Sequence, residues 1–164
     1  MKAGEQVFRV GFGYDAHMLA KGESLILGGI EIFHDKGLAG YSDADVLTHA
    51  VIDAILGALG KGDIGRHFPD TDPAYKGINS LFLLKKVAKM IKKDGFILNN
   101  LDATLVAQRP KLTPYIHRME ENLSDALEVD IKMINVKATT TEGLGFCGRE
   151  EGIAAYAVVT LKNA

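Results

Sequence analysis

One cysteine, Cys147, and no tryptophan occur in 164 residues. A lone cysteine excludes an intrachain disulfide and makes a reducing cytoplasm the natural compartment. No candidate base lies near Cys147 in sequence, so it reads as an inert small residue rather than a nucleophile. No apolar run approaches the roughly 20 residues that cross a bilayer, and no membrane is expected. The stretch Met1 to Gln6 is polar and lacks an apolar h-region, so a signal peptide is not expected. Neither sign of charge dominates: 19 Lys+Arg stand against 21 Asp+Glu, a net −2. That balance argues against a broad nucleic-acid surface. Low-complexity segments, internal repeats and linkers are also missing, which predicts a single domain over residues 1–164.

Glycine is plentiful, 18 residues or about 11% against a usual ~7%. Such an excess suggests tight turns or close backbone approaches. Alternation over Val7–Tyr14 predicts a strand, and Leu25–Leu27 with Ile30–Phe33 around Gly28-Gly29 predicts a hairpin. Ser42, with Asp45 three residues on, predicts a helix start, and the helix should end near Gly60. Gly62 to Gly77 reads as a loop and Ser80–Asp94 as a second helix stopped by Gly95. Asp102–Gln108 reads as a strand, Thr113-Pro114 as a third helix start, and Ile131–Ala138 and Ile153–Leu161 as the last strands. The order is α+β: a mixed sheet with helices packed on one face. Ile153 to Val159 is apolar at successive positions, which predicts burial on both faces. Since helices are available for one face, a partner chain should cover the other.

Asp15 and His17 stand two apart in an extended segment and so project to one face. An Asp/His pair suits zinc or a similar divalent ion, although short strings of this kind are common in polar strand ends. His49, one turn into the first helix, strengthens the case. Asp53, four residues later, is placed to accept its second ring N–H, or the two form an ordinary exposed pair. Three ligands would leave a tetrahedral ion an open position. His34, His67 and His117 have no such support. Thr139-Thr140-Thr141-Glu142-Gly143 follows a strand and could hold phosphate oxygens, with Glu142 on a magnesium, or form a plain turn. Asp63, Asp70 and Asp72 could bind a metal or sugar hydroxyls, or serve only as Asx turns.

Together, Gly11–His17, Ser42–Val46 with His49-Ala50, Gly62–Gly65, Phe68–Asp72 and Val136–Glu142 resemble the 2-C-methyl-D-erythritol 2,4-cyclodiphosphate synthase family, from Val10 to Leu161 and in the family's order. The resemblance implies conversion of 4-diphosphocytidyl-2-C-methyl-D-erythritol 2-phosphate to the cyclic diphosphate with release of CMP. It implies a homotrimer with sites between neighbouring subunits, one Zn2+ per subunit on Asp15, His17 and His49, and Mg2+ or Mn2+ on Glu142. The cytidine pocket would be Ala107, Gln108, Arg109, Pro110, Lys111, Leu112 and Thr113 with Ala138, Thr139 and Thr140. Ser42, Asp63, Ile64 and Gly65 would hold the methylerythritol phosphate, beside the loop with Phe68, Asp70, Thr71 and Asp72. Thr140 and Thr141 would sit by the diphosphate, with Phe146 and Arg149 beyond. Tyr41 stands where many family members carry a transition-state histidine. It can donate a hydrogen bond there but carries no positive charge near neutral pH. Two other readings are a metal-dependent nucleotide-diphosphate hydrolase and a trimeric module that binds without catalysis.

Overall fold

The structure, a computed structural model, describes residues 5–164, so the first four residues of the polar Met1–Gln6 stretch lie outside it. Strand β1 spans Phe8–Ala20, six residues beyond the expected end at Tyr14. Its odd positions face one way and its even positions the other. Gly11, Gly13 and Leu19 are buried on the first face, while Phe8, Val10, Phe12, Tyr14 and Met18 are exposed on the second. Strands β2 (Leu25–Leu27) and β3 (Ile30–Ile32) form the expected hairpin. Gly28 and Gly29 take φ of 56° and 71°, the left-handed pair that a two-residue hairpin turn requires. The short β4 (Gly37–Leu38) pairs with the end of β1.

Helix α1 covers Val46–Leu59 and ends at left-handed Gly60. Its cap is Asp45 rather than Ser42. The Asp45 carboxylate accepts from Thr48 N (3.1 Å) and Thr48 Oγ1 (2.8 Å), and also from Gly28 N (3.0 Å) and Gly29 N (2.7 Å). One fully buried side chain thus caps the helix and ties it to the hairpin turn. Burial pushes its pKa up.

The glycines of β1 explain how closely α1 lies on the sheet. A Cβ at Gly11 would sit 1.8 Å from the Ala54 carbonyl oxygen, and one at Gly13 would sit 1.9 Å from that of Ala50. Ala50, Ala54 and Ala58, on one helix stripe, rest directly on these bare backbone positions. The same β1 face then continues to Asp15 and His17, beside the helix turn that carries His49.

The rest follows the expected order with more detail. The Gly62–Gly77 loop holds a single helical turn, α2 (Ile64–His67), and a 3-10 turn over Pro73–Tyr75, both too short for a periodic signal. Helix α3 spans Ser80–Lys93 and strand β5 spans Phe96–Val106, starting well before Asp102. A 3-10 turn at Thr113–Tyr115 leads into α4 (Ile116–Leu127). Strand β6 (Ile134–Thr139), the short α5 (Gly145–Gly148) and β7 (Gly152–Asn163) complete the chain. Five strands form one sheet in the order β4-β1-β7-β5-β6, with β5 and β6 parallel and the other pairs antiparallel. It is the mixed α+β sheet expected, and α1, α3 and α4 pack against it. Leu47, Ile55, Leu56, Leu84, Leu101, Leu105, Leu123 and Ile153 are fully buried in one core. Each contributes roughly 1.5–3 kcal/mol by leaving water. Strand β7 is buried along its helix side; on its other face Ala154 is buried against Val106 and Cys147, while Tyr156 and Val158 are 42% and 40% exposed, the part a partner chain was expected to cover.

Candidate active site

Asp15 and His17 reach the edge of the helix-covered face from β1, and His49 meets them from the first turn of α1. Asp15 Oδ2 lies 3.0 Å from His17 Nε2 and 3.0 Å from His49 Nδ1, and the two ring nitrogens are 3.1 Å apart. Among the described residues this is the one group of three such side chains whose ligand atoms converge. The outer ring atoms have partners. His17 Nδ1 faces the Ala39 carbonyl at 2.9 Å, and since a carbonyl only accepts, that nitrogen carries the hydrogen. In the neutral ring His17 Nε2 is therefore a lone pair aimed at a carboxylate and a second imidazole. A cation between them resolves that conflict, so the donor set fits a divalent metal. A proton resolves it as well. Burial works to raise the Asp15 pKa, but hydrogen bonds from His17 and His49 outweigh it and hold the carboxyl well below its usual range. Burial works to lower the His17 pKa, and Asp15 outweighs it in turn and raises it.

Asp53 does not play the part expected of it. Its Oδ1 accepts from Ile64 N at 2.7 Å, fastening the start of α2 to α1, because its side chain turns toward that loop instead of back up the helix. Burial raises its pKa first of all, with Asp15 and Asp63 adding to the effect. His49 Nε2 instead faces two hydroxyls, Ser80 Oγ at 2.8 Å and Ser42 Oγ at 3.1 Å. Ser80, buried at the start of α3, drew no notice in the sequence beyond marking a helix start. His34, His67 and His117 stay apart from the triad. They lie beside Asp35, the Lys61 carbonyl, and Glu120 with Glu121 respectively.

The triad opens into a cavity of about 440 Å³ whose walls include Tyr41, Ser42, Ile64, Gly65, Phe68, Asp70 and Thr71. Asp63 caps α2 through Arg66 N, and Asp72 caps the 3-10 turn through Ala74 N. The Tyr41 hydroxyl donates to the Asp72 carbonyl at 3.2 Å, and Gly77 N donates to the Tyr41 carbonyl at 2.8 Å. Tyr41 thus fastens the 68–77 loop over the cavity.

A second cavity, also about 440 Å³, is lined by Ala107, Gln108, Arg109, Pro110, Lys111, Leu112 and Thr113 together with Ala138, Thr139 and Thr140. No residue lines both. Beside the second, Thr140 Oγ1 donates to Glu142 Oε1 at 2.9 Å, and Gly143 N donates to Gln108 Oε1 at 3.2 Å. Thr141 Oγ1 donates to the Leu144 carbonyl. Glu142 is exposed and holds φ of 52°, a left-handed conformation that costs a non-glycine residue and recurs at functional loops. Phe146 lies in a third hollow that it shares with His17. Arg149 is exposed and paired through Nε and Nη2 with both oxygens of Glu151. Arg109 Nε stands 3.4 Å from Glu150.

A mixed α+β sheet holding a carboxylate–imidazole triad beside an open cavity forms a candidate metal site of the kind enzymes use. The YgbB family matches residues 8–162, and the chain belongs to that family. It is 57% identical over 155 residues to the 2-C-methyl-D-erythritol 2,4-cyclodiphosphate synthase of Syntrophobacter fumaroxidans, covering 94% of this chain and 98% of that one. Among solved structures it matches the Plasmodium falciparum IspF CDP complex with a TM-score of 0.84 and 33% identity, over 95% and 96% of the two chains. It matches the bifunctional IspDF of Campylobacter jejuni with a TM-score of 0.94 and 44% identity, covering 98% of this chain but 43% of that longer one.

Proposed function

We propose that this chain, acting as one domain in a homotrimer, converts 4-diphosphocytidyl-2-C-methyl-D-erythritol 2-phosphate to 2-C-methyl-D-erythritol 2,4-cyclodiphosphate and CMP, a step of non-mevalonate isoprenoid synthesis. The converging donors of Asp15, His17 and His49 carry the proposal. They would hold Zn2+, and Glu142 would share Mg2+ or Mn2+ with substrate phosphates, as suits a hard cation with a single protein carboxylate. When bound, such ions supply Lewis acidity and charge neutralisation to the two phosphates that must approach each other. The substrate brings its own nucleophile, the 2-phosphate, which attacks the β-phosphorus in line while CMP departs. The protein's work is then orientation and exclusion of water. Ser42 and the 63–65 turn hold the methylerythritol phosphate, and the loop from Phe68 to Asp72 closes over it. Residues 107–113 with 138–140 hold cytidine. Thr140 and Thr141 donate to the diphosphate, with Phe146 and Arg149 at its margin. Tyr41 stands at the reacting end.

Two cavities without a common wall suggest that each site is assembled from two chains. The open sheet face supports this. Phe8, Val10, Phe12, Tyr14, Met18, Tyr156 and Val158 are all at least 40% exposed there, an apolar surface of the kind that subunits cover. No helix among the described residues is long and apolar enough to cross a membrane, and the compartment proposed is the cytoplasm.

His49→Ala and Glu142→Gln should each abolish activity in their own homotrimers, the first with loss of zinc. Unfolded together and reassembled, equal amounts should form mixed trimers in about three quarters of cases. One working site in three would then restore roughly a quarter of wild-type activity. Mixed trimers seen by mass spectrometry without recovered activity would place both halves in one chain.

A further inference from the structure

The outer side of His49 contains a connection that the reaction itself does not call for. Its Nε2 faces Ser80 Oγ and Ser42 Oγ, and a hydroxyl can donate or accept, so neither serine alone decides where the ring hydrogen sits. Asp43 removes the ambiguity. Its Oδ1 receives the Ser80 hydroxyl hydrogen, and its Oδ2 receives Ser80 N at 2.9 Å. A carboxylate only accepts, so the single hydrogen of Ser80 is committed to it. Ser80 Oγ can then only accept from His49, which draws the ring hydrogen to Nε2 against the pull of the Asp15 carboxylate on Nδ1, and a cation on Asp15 removes that opposing pull. Nδ1 is the atom 3.0 Å from Asp15 and 3.1 Å from His17.

We infer that Asp43 and Ser80 are positioning residues that set the His49 tautomer for metal binding, an inference that rests on the metal reading above. Three elements meet in this connection: the turn before α1, α1 itself, and the first residue of α3. Ser80 is fully buried and His49 is 8% exposed, so water cannot readily replace either partner. The arrangement also spans the chain between positions 43 and 80, so packing α3 on α1 completes the metal site. Asp45, two residues on, faces the hairpin glycines and Thr48 instead and has no part in it.

The test uses Ser80→Ala, which removes the acceptor, and Asp43→Asn, which offers Ser80 a donor as well as an acceptor and so frees its hydrogen. Zinc affinity of the purified protein should fall about 10–100-fold in Ser80→Ala, and in the same direction in Asp43→Asn. The second readout needs no metal. Ring-nitrogen NMR shifts of the metal-free protein should show the His49 hydrogen further toward Nε2 in the wild type than in either variant. In both variants the balance should move toward Nδ1 and Asp15. Wild-type zinc affinity in both variants overturns the inference, as does an unchanged tautomer balance. Zinc retained by His49→Ala would instead overturn the metal assignment, while the tautomer measurement still judged the connection.

Discussion

The Asp15–His17–His49 triad and the Thr139–Glu142 turn lie in the same chain yet are built in opposite ways. Asp15, His17 and His49 are half-buried or buried, sit on a long strand and a helix packed against it, and have their outer atoms held by Ala39, Ser42 and Ser80. The threonine turn follows an edge strand, is largely exposed, and turns its hydroxyls onto Glu142 and Leu144. Metal ligands must be fixed before the ion arrives, since a loose set loses affinity to entropy. A phosphate-binding turn can leave its donors paired internally and exchange those bonds for substrate oxygens. On the proposed function, one half of the site would be finished when the chain folds and the other when copies and substrate meet.

The largest effect should come from breaking the rigid half at its base. Gly13→Ala places a methyl group 1.9 Å from the Ala50 carbonyl oxygen, so α1 must lift from β1. Stability should fall by about 3 kcal/mol or the chain should fail to fold, against little change for alanine at exposed Gly143 on backbone contacts alone. Equal losses in urea titrations of the two variants would erase the contrast. Gly143 has a positive φ, so a loss of up to about 1 kcal/mol is expected there too.

A middling effect concerns pH. In metal-free protein the His17 pKa is raised above its unfolded value by Asp15. The stability this contributes is complete below about pH 6.5 and lost as pH rises through the folded pKa. Metal binding needs the neutral ring, so its stabilisation moves the opposite way and grows with pH. The Tm difference between zinc-loaded and chelator-treated protein should therefore widen from pH 6 to 8, other titrating groups cancelling between the two. A constant or narrowing gap would remove His17 from the ligand set.

The smallest effect is expected at Tyr41. Tyr41→Phe loses the bond to the Asp72 carbonyl, a net ~1 kcal/mol, and any contact of the hydroxyl with a phosphate. A fall in kcat would indicate contact in the transition state, a rise in KM alone a loosened loop, and wild-type values of both an idle hydroxyl.

Much of this was legible in the sequence because two periodicities carried it. Even and odd positions of β1 separated Asp15 and His17 from the open face, and the α1 stripe brought His49 nearby. The helix cap was misplaced because Ser42 and Asp45 both have capping side chains. The choice between them depends on a reversal at Ala44, with φ of 55°, which the residue type does not suggest. The early part of β5 was hidden by an irregularity between Leu98 and Asn100 that breaks its alternation. Asp53 was assigned to His49 by spacing alone, and spacing says nothing of side-chain rotation. Ser80 is 31 residues from His49 in sequence, and only the packing of α3 on α1 connects them.

The open sheet face also has a consequence for supply. If every working site needs two chains, output per molecule depends on how often molecules find each other. At low abundance most chains would stand alone, correctly folded and idle, with Phe12 and Tyr156 turned to water. Halving expression near that threshold would cut product formation by more than half, so the cell would sense the dose of this protein more steeply than its copy number.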